Sequence, residues 1–150
     1  MSITLPIPHI LQTSQADCLA ACAAMVLTHL NKLLPYNELL SILNIQWFGA
    51  PFGNIRNLEQ IGVRILYKQG SLFDLNDHLT VGEPIITPIF TGELPYAKEM
   101  TNHTVVIVGI REHYVYINDP AVTQAPIPVP KGDFDLAWLE RDKWYAVIKI

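Results

Sequence analysis

An α+β fold is predicted for this chain, with N-terminal helices packed on a C-terminal antiparallel sheet. Three observations predict it. Leu19, Cys22, Ala23, Val26, Leu27 and Leu30 recur at a three-and-four spacing, which sets them on one helical face. Thr104–Ile110 (TVVIVGI) is an apolar, β-branched run that reads as a central strand. His113–Ile117 follows across the short polar turn REH, as the second arm of a hairpin. Helices early and antiparallel strands late is the segregated arrangement of an α+β domain.

The elements follow in order. Residues 1–11 read as an extended arm, held open by Pro6 and Pro8. A helix runs from Asp17 to about Lys32, with Ser14 or Asp17 as its cap, and Pro35 stops the chain beyond it. Tyr36–Leu43 is a short second helix whose buried side is Leu39, Leu40, Ile42 and Leu43. Gly49, Pro51 and Gly53 mark a loop. Asn54–Ile61 is a third helix closed by Gly62. Val63–Lys68 alternates as a strand, and Leu72–Leu79 is a short helix. Ile85–Phe90 is a strand that Pro88 assigns to an edge or a bulge. After Asp119-Pro120 comes a loop rich in proline (Pro126, Pro128, Pro130), then a helix from Asp133 to about Glu140 and a last strand, Tyr145–Ile150.

The 150 residues are a single-domain length, 50% hydrophobic and 16% charged, enough to bury a core. A net charge of −4 with ten scattered Lys and Arg leaves no basic stripe for nucleic acid. The N-terminal stretch MSITLPIPHI has no positive region, and the apolar run Leu19–Leu30 is interrupted by Thr28 and His29 and too short for a membrane span. A cytoplasmic protein is expected. No phosphate loop is present and no organic cofactor is implied.

Two cysteines stand one helical turn apart, Cys18 and Cys22. Side chains stacked along one helix face seldom meet disulfide torsions, and CxxxC without a nearby His or Cys pair is a poor match to structural zinc spacing. Cys22 reads as core. Cys18 opens the helix, where unpaired N–H groups and the positive dipole end favour a thiolate. Gln12 lies in the arm leading into that helix and offers an amide donor. A hairpin whose turn centres near residues 111–112 sets His103 directly opposite Asp119, within the roughly 4.5–5.5 Å Cβ separation of opposed residues. Thiol, imidazole, orienting carboxylate and amide donor together make an acyl-transfer apparatus, provided the helix start meets the hairpin end.

Gln12 and Cys18 with five residues between them, Asp17 before the thiol, Ala20-Ala21 after it, and the segments HTVVIVGI and NDP together resemble the C39 family of papain-like cysteine peptidases. Its best-known members clip double-glycine leader peptides beside ABC exporters. The resemblance implies a papain-like fold and a single C39-like peptidase domain over residues 1–150. It implies Cys18 as nucleophile, His103 as general base, Asp119 as the histidine's orienter and Gln12 as oxyanion donor. The implied partner is a peptide or protein substrate, a double-glycine leader among the candidates, with an ABC exporter or another protein acting in trans. Two features depart from the leader peptidases: Leu19 stands where many have glycine directly after the nucleophile, and the chain carries no transporter segment. With LPYA (Leu94–Ala97) and Ala137-Trp138, it is closer to the stand-alone C39-like proteins.

The same residues also serve other readings. An acyltransferase would pass the acyl group to an amine instead of water. A non-catalytic binding module would keep the fold with a misaligned dyad or a blocked cleft. Cys18, His103 and Asp119 as an adventitious zinc site is the weakest alternative. Trp47, Phe48 and Phe52 form either a cleft wall or core. Asn102 and Asn118 flank the histidine and the acid, and His9, His29, His78 and His113 have no partner assigned by the sequence.

Overall fold

The structure, a computed structural model, describes residues 4–150. Of the arm expected over residues 1–11, the first three residues lie outside the described part. From residue 4 onward the arm has no regular secondary structure and docks on the sheet, where the Leu5 N–H donates to the Val108 carbonyl at 2.8 Å.

Helix α1 (Cys18–His29) starts one residue later and ends three residues earlier than the spacing predicts. Helix α2 (Tyr36–Ile42) follows, with Leu39 and Leu43 buried and Leu40 and Ile42 partly so. The expected third helix is instead a 3-10 helix, Phe52–Ile61, closed by Gly62 at φ 90°. The reason is legible in the spacing. Side chains three apart eclipse in a 3-10 helix, and Phe52, Ile55 and Leu58 are its buried residues. Asn54 and Asn57, also three apart, donate to the carbonyls of Leu43 and Ile42 at 3.0 Å each. That face therefore satisfies the end of α2, whose last carbonyls have no helical partner.

Strands β1 (Arg64–Gln69), β2 (Ile85–Phe90), β3 (Asn102–Ile110), β4 (Tyr114–Asn118), β5 (Ile127–Pro130) and β6 (Trp144–Lys149) form one antiparallel sheet. Its order is β1-β6-β2-β3-β4-β5. Helices α3 (Leu72–Thr80) and α4 (Lys131–Leu139) and a short 3-10 turn, Thr91–Glu93, complete the described fold. Ser71 caps α3 in a reciprocal box with Asp74.

The helices cover both faces of the sheet. α1, α2 and the 3-10 helix pack on one face against Ile86, Val106, Val108, Ala146 and Ile148. Leu75 and Leu79 of α3 and Phe134, Ala137 and Trp138 of α4 pack on the other, against Ile85, Ile89, Val105, Ile107 and Val147. A strand buried on both faces needs apolar residues at successive positions, and β3 is buried from His103 to Ile110 without a break.

Three expectations need correction. Pro88 lies in an interior strand, not at an edge: β2 runs between β6 and β3. Its pairing to β6 is at Ile86, two residues short of the proline, while Pro88 itself pairs with Thr104 of β3. The missing donor thus falls where the strand is bound on one side. The proline loop contains an edge strand, β5. The Lys131 N–H donates to the His113 carbonyl, so residues of that parity face β4, while Pro128 and Pro130 fall on the parity that needs no donor. Finally, β3 and β4 pair as Val106 with Asn118 and Ile107 with Ile117, then shift at a bulge before Gly109 pairs with Tyr116. His103 is therefore not directly opposite Asp119. Carrying the register on by one residue brings Asp119 level with Val105, diagonal to His103.

Candidate active site

The thiol that opens α1 lies against the start of β3. Cys18 is partly exposed and free, while Cys22, one turn on, is wholly buried and donates to the Thr104 carbonyl at 3.3 Å. His103, the second residue of β3, pairs with Ile89 of β2 and is 7% exposed. Asp119, directly after β4, is 3% exposed, and its Oδ1 lies 2.7 Å from His103 Nε2. A diagonal pair across an antiparallel sheet is within reach of a histidine. The predicted contact between imidazole and carboxylate thus exists by a different register. The ring's Nδ1 remains for the sulfur.

The electrostatics are mutual. Burial works to raise the Cys18 pKa, but the His103 hydrogen bond and charge, with further contacts to Thr104, outweigh it and hold the thiol below its ordinary value. Burial works to lower the His103 pKa, but the bond to Asp119, the bond to Cys18 and both negative charges push it up to about 9. Burial would raise the Asp119 carboxyl as well, and the His103, Tyr96 and Ala121 donors hold it below the usual carboxylate range. The three groups thus favour one another's charged forms: His103 lowers the thiol and the carboxyl, and both raise the imidazole. Cys22 has the opposite fate: burial, then the Cys18 and Asp119 charges, push its thiol well up.

Asp17 does not cap α1 with its side chain. The carboxylate turns back and accepts from the Thr13 N–H, the Thr13 hydroxyl at 2.5 Å, the Ser14 N–H at 2.9 Å and the Tyr36 hydroxyl at 2.8 Å. Burial opposes its charge, yet these donors lower its pKa overall. Its negative charge is thus consumed by the loop that precedes the helix, and the first-turn N–H groups of α1 stay free of a side-chain cap.

Gln12 reaches the same cleft. Its backbone N–H donates to the Pro120 carbonyl at 2.9 Å, and its side-chain amide donates to the Ser14 carbonyl at 2.8 Å while Oε1 is buried without a partner among the described residues. One amide hydrogen is thereby engaged and the second is left over.

A cleft of about 890 Å³ opens beside His103 and Asp119, bordered by the loop of Gln12–Ala16, by Trp47 and Phe48, and by Tyr96–Glu99. Trp47 and Phe48 are 89% and 68% exposed and meet edge-to-face at 5.4 Å. Phe52 is core and takes no part. Asn102 borders the cleft, and Asn118 donates to the Ile7 carbonyl in the arm. Of the histidines without an assigned partner, His78 bonds Glu83 at 2.9 Å and His9 bonds the Val122 carbonyl at 2.7 Å. Among the described residues, no group of three or more His, Cys, Asp or Glu is arranged to hold a metal ion.

Sequence reasoning missed two contributors. Tyr96 bonds Asp119 Oδ2 at 2.5 Å from 23 residues away, through a loop with no periodic signal. Thr104 touches both thiols, and as part of an apolar strand it reads only as a β-branched residue.

Among solved structures, a protein described as a C39-like peptidase from Bacillus anthracis superposes with a TM-score of 0.84 at 16% identity, over 100% of this chain and 98% of that one. A double glycine motif protease from an AMS/PCAT transporter, in complex with its leader peptide, gives 0.76 at 23% identity over 97% and 93%. The peptidase domain of Streptococcus ComA, a bifunctional ABC transporter of a quorum-sensing pathway, gives 0.76 at 18% over 94% and 96%. These likenesses establish the shared fold. No curated protein matches the sequence. No described helix is long and apolar enough to cross a membrane. The Peptidase C39 family profile matches residues 6–141, nearly the whole length, and on that match the chain belongs to the peptidase C39 family.

Proposed function

We propose that the protein is a cysteine peptidase working through Cys18, His103, Asp119 and Gln12, in a single peptidase domain spanning residues 1–150. The carrying observation is the buried 2.7 Å contact between His103 and Asp119 beside a partly exposed thiol whose pKa His103 holds down. A non-catalytic module leads one to expect a misaligned dyad or a closed cleft; the His103–Asp119 contact and the open cleft beside that pair favour the peptidase reading.

The Cys18 thiolate attacks the carbonyl carbon of a peptide bond, forming a C–S bond and an oxyanion. We assign the second amide hydrogen of Gln12 and the uncapped N–H groups at the start of α1 as the donors to that charge. As the C–N bond breaks, imidazolium Nδ1 gives its proton to the leaving amine. His103 then takes a proton from water, the hydroxide displaces the thiolate from the thioester, and the acid is released. Asp119 keeps the Nε2 proton in place throughout and is never protonated.

The substrate is a peptide, and a double-glycine leader is the class we favour. One of the similar structures holds such a leader. The chain shares its fold with exporter-linked peptidases, so an ABC exporter in trans, on the cytoplasmic side, is the partner we assign. Incubation with Gly-Gly-containing and general peptides tests the reading. The parent is expected to cleave Gly-Gly peptides, and Cys18→Ala to lose turnover while keeping its melting curve. A Cys18→Ala protein that still cleaves every substrate of the parent removes the mechanism.

A further inference from the structure

Asp119 accepts three hydrogen bonds, distributed unevenly. His103 Nε2 at 2.7 Å and the Ala121 N–H at 2.8 Å both end on Oδ1. Two donors on one oxygen leave the carboxylate free to swivel about that oxygen. The third bond, from the Tyr96 hydroxyl at 2.5 Å, is the one that ends on Oδ2. It fixes the plane of the group.

The loop that delivers Tyr96 is itself held. Thr91, 7% exposed, closes the segment between β2 and β3: its hydroxyl donates to the Glu99 carbonyl at 2.6 Å and accepts from the Thr101 N–H at 2.9 Å. Within the segment Leu94 is buried at 4% exposed, and the Ala97 N–H donates to its carbonyl. The Tyr96 ring packs on the core beneath α3 and α4. The hydroxyl is thus presented to Asp119 by a loop clasped at Thr91.

We propose that Tyr96 is a positioning residue for this site: its hydroxyl locks the second oxygen of Asp119, so that the first stays on the His103 ring. The inference rests on the peptidase reading for its purpose but not for its test. Tyr96 touches neither the thiol nor the imidazole through this bond and acts only through Asp119.

The test is the rate at which iodoacetamide alkylates Cys18 at pH 6, followed by mass spectrometry, in the parent, Tyr96→Phe, Asp119→Ala and the double variant. A hydrogen bond to a charged group contributes enough that its loss slows the reaction roughly tenfold or more. Tyr96→Phe is expected to show that loss with an alkylation profile displaced to higher pH, and Asp119→Ala at least as large a loss. The double variant is expected to be no slower than Asp119→Ala, because the hydroxyl then has nothing to hold. Tyr96→Phe reacting with the parent's rate and profile overturns the proposal. So does a double variant slowed by the product of the two single effects, the mark of a general structural role. Alkylation needs no peptide, so a parent that cleaves nothing yet shows this pattern removes the peptidase reading and leaves the positioning role intact.

Discussion

Replacing Asp17 by alanine separates two roles by size. An N-cap carboxylate that served α1 alone would cost about 1 kcal/mol on removal, within the range of roughly 0.5–2 kcal/mol for lost caps. The structure gives Asp17 a different role. At 2% exposed, it accepts from two backbone N–H groups and two hydroxyls of Thr13, Ser14 and Tyr36. Bonds to a charged group contribute about 1.5–3 kcal/mol each. Thr13 and Ser14 are exposed, so their donors recover water in the variant and the sum is not additive. The half-buried Tyr36 hydroxyl recovers less. A loss of about 3 kcal/mol is expected, which lowers the melting temperature by about 6–12 °C in a chain of this size. Urea unfolding of parent, Asp17→Ala, Tyr36→Phe and the double variant measures it, with a coupling of about 1 kcal/mol expected between the two sites. The pH dependence gives a second reading. The folded-state pKa of Asp17 is depressed, so its contribution is present above the unfolded carboxylate value of about 3.9 and is lost as pH falls through the folded value. The gap between parent and Asp17→Asn should close in acid. A loss near 1 kcal/mol or below, with no coupling to Tyr36, refutes the loop-lock argument and restores the cap.

Three further outcomes follow. Cys18 alkylation in the parent should begin below the ordinary thiol value of about 8.5 and change again near pH 9 as the imidazolium loses its proton. Because the His103 pKa is raised to about 9, its stabilising contribution is full below about 6.5, the unfolded value, and disappears as pH rises through 9; urea unfolding across that window checks the sign. Trp47→Ala with Phe48→Ala should raise KM for a cleaved peptide several-fold and leave stability within about 0.5 kcal/mol, since both rings are exposed on the cleft wall; unchanged KM would take that wall out of substrate binding.

What the sequence disclosed, it disclosed where local pattern and tertiary demand agree. α1 and β3 are each long and apolar, and their period or lack of one states how many faces are covered. The Cys18, His103 and Asp119 grouping was legible because each stands at the boundary of such an element. The details that failed were set elsewhere. The hairpin turn closes around residues 112–113, where the Arg111 N–H donates to the Tyr114 carbonyl, later than the sequence places it, and the bulge between Ile107 and Gly109 takes back one residue of that offset. Pro128 and Pro130 read as a loop because donor parity matters only once an edge strand exists to pair with. Asp17 sits where a cap sits, but Tyr36, 19 residues on, competes for its carboxylate. Tyr96 is joined to Asp119 only by the closing of a loop.

These long-range bonds also explain how parts from three distant segments keep register with one another. The arm is laid along the hairpin so closely that a Cβ on Gly109 would lie 3.1 Å from Thr4 Oγ1 and 3.3 Å from Thr4 Cα, which is why a glycine stands there. Asn118, 2% exposed and next to Asp119, holds the Ile7 carbonyl at 3.1 Å, and the Gln12 N–H ends on the carbonyl of Pro120, the residue after Asp119. Gln12 and Asp119 are therefore fastened to one frame from both sides. Asp17 then binds the loop that continues from Gln12 to the residue before the thiol, and Cys22 fastens α1 to Thr104, the neighbour of His103. Each polar group of the site is thus one residue, or one helical turn, from a bond that ties its segment to another. Preorganisation of this kind keeps His103 beside the thiol whose pKa it lowers, so neither side chain has to move before a proton can pass between them.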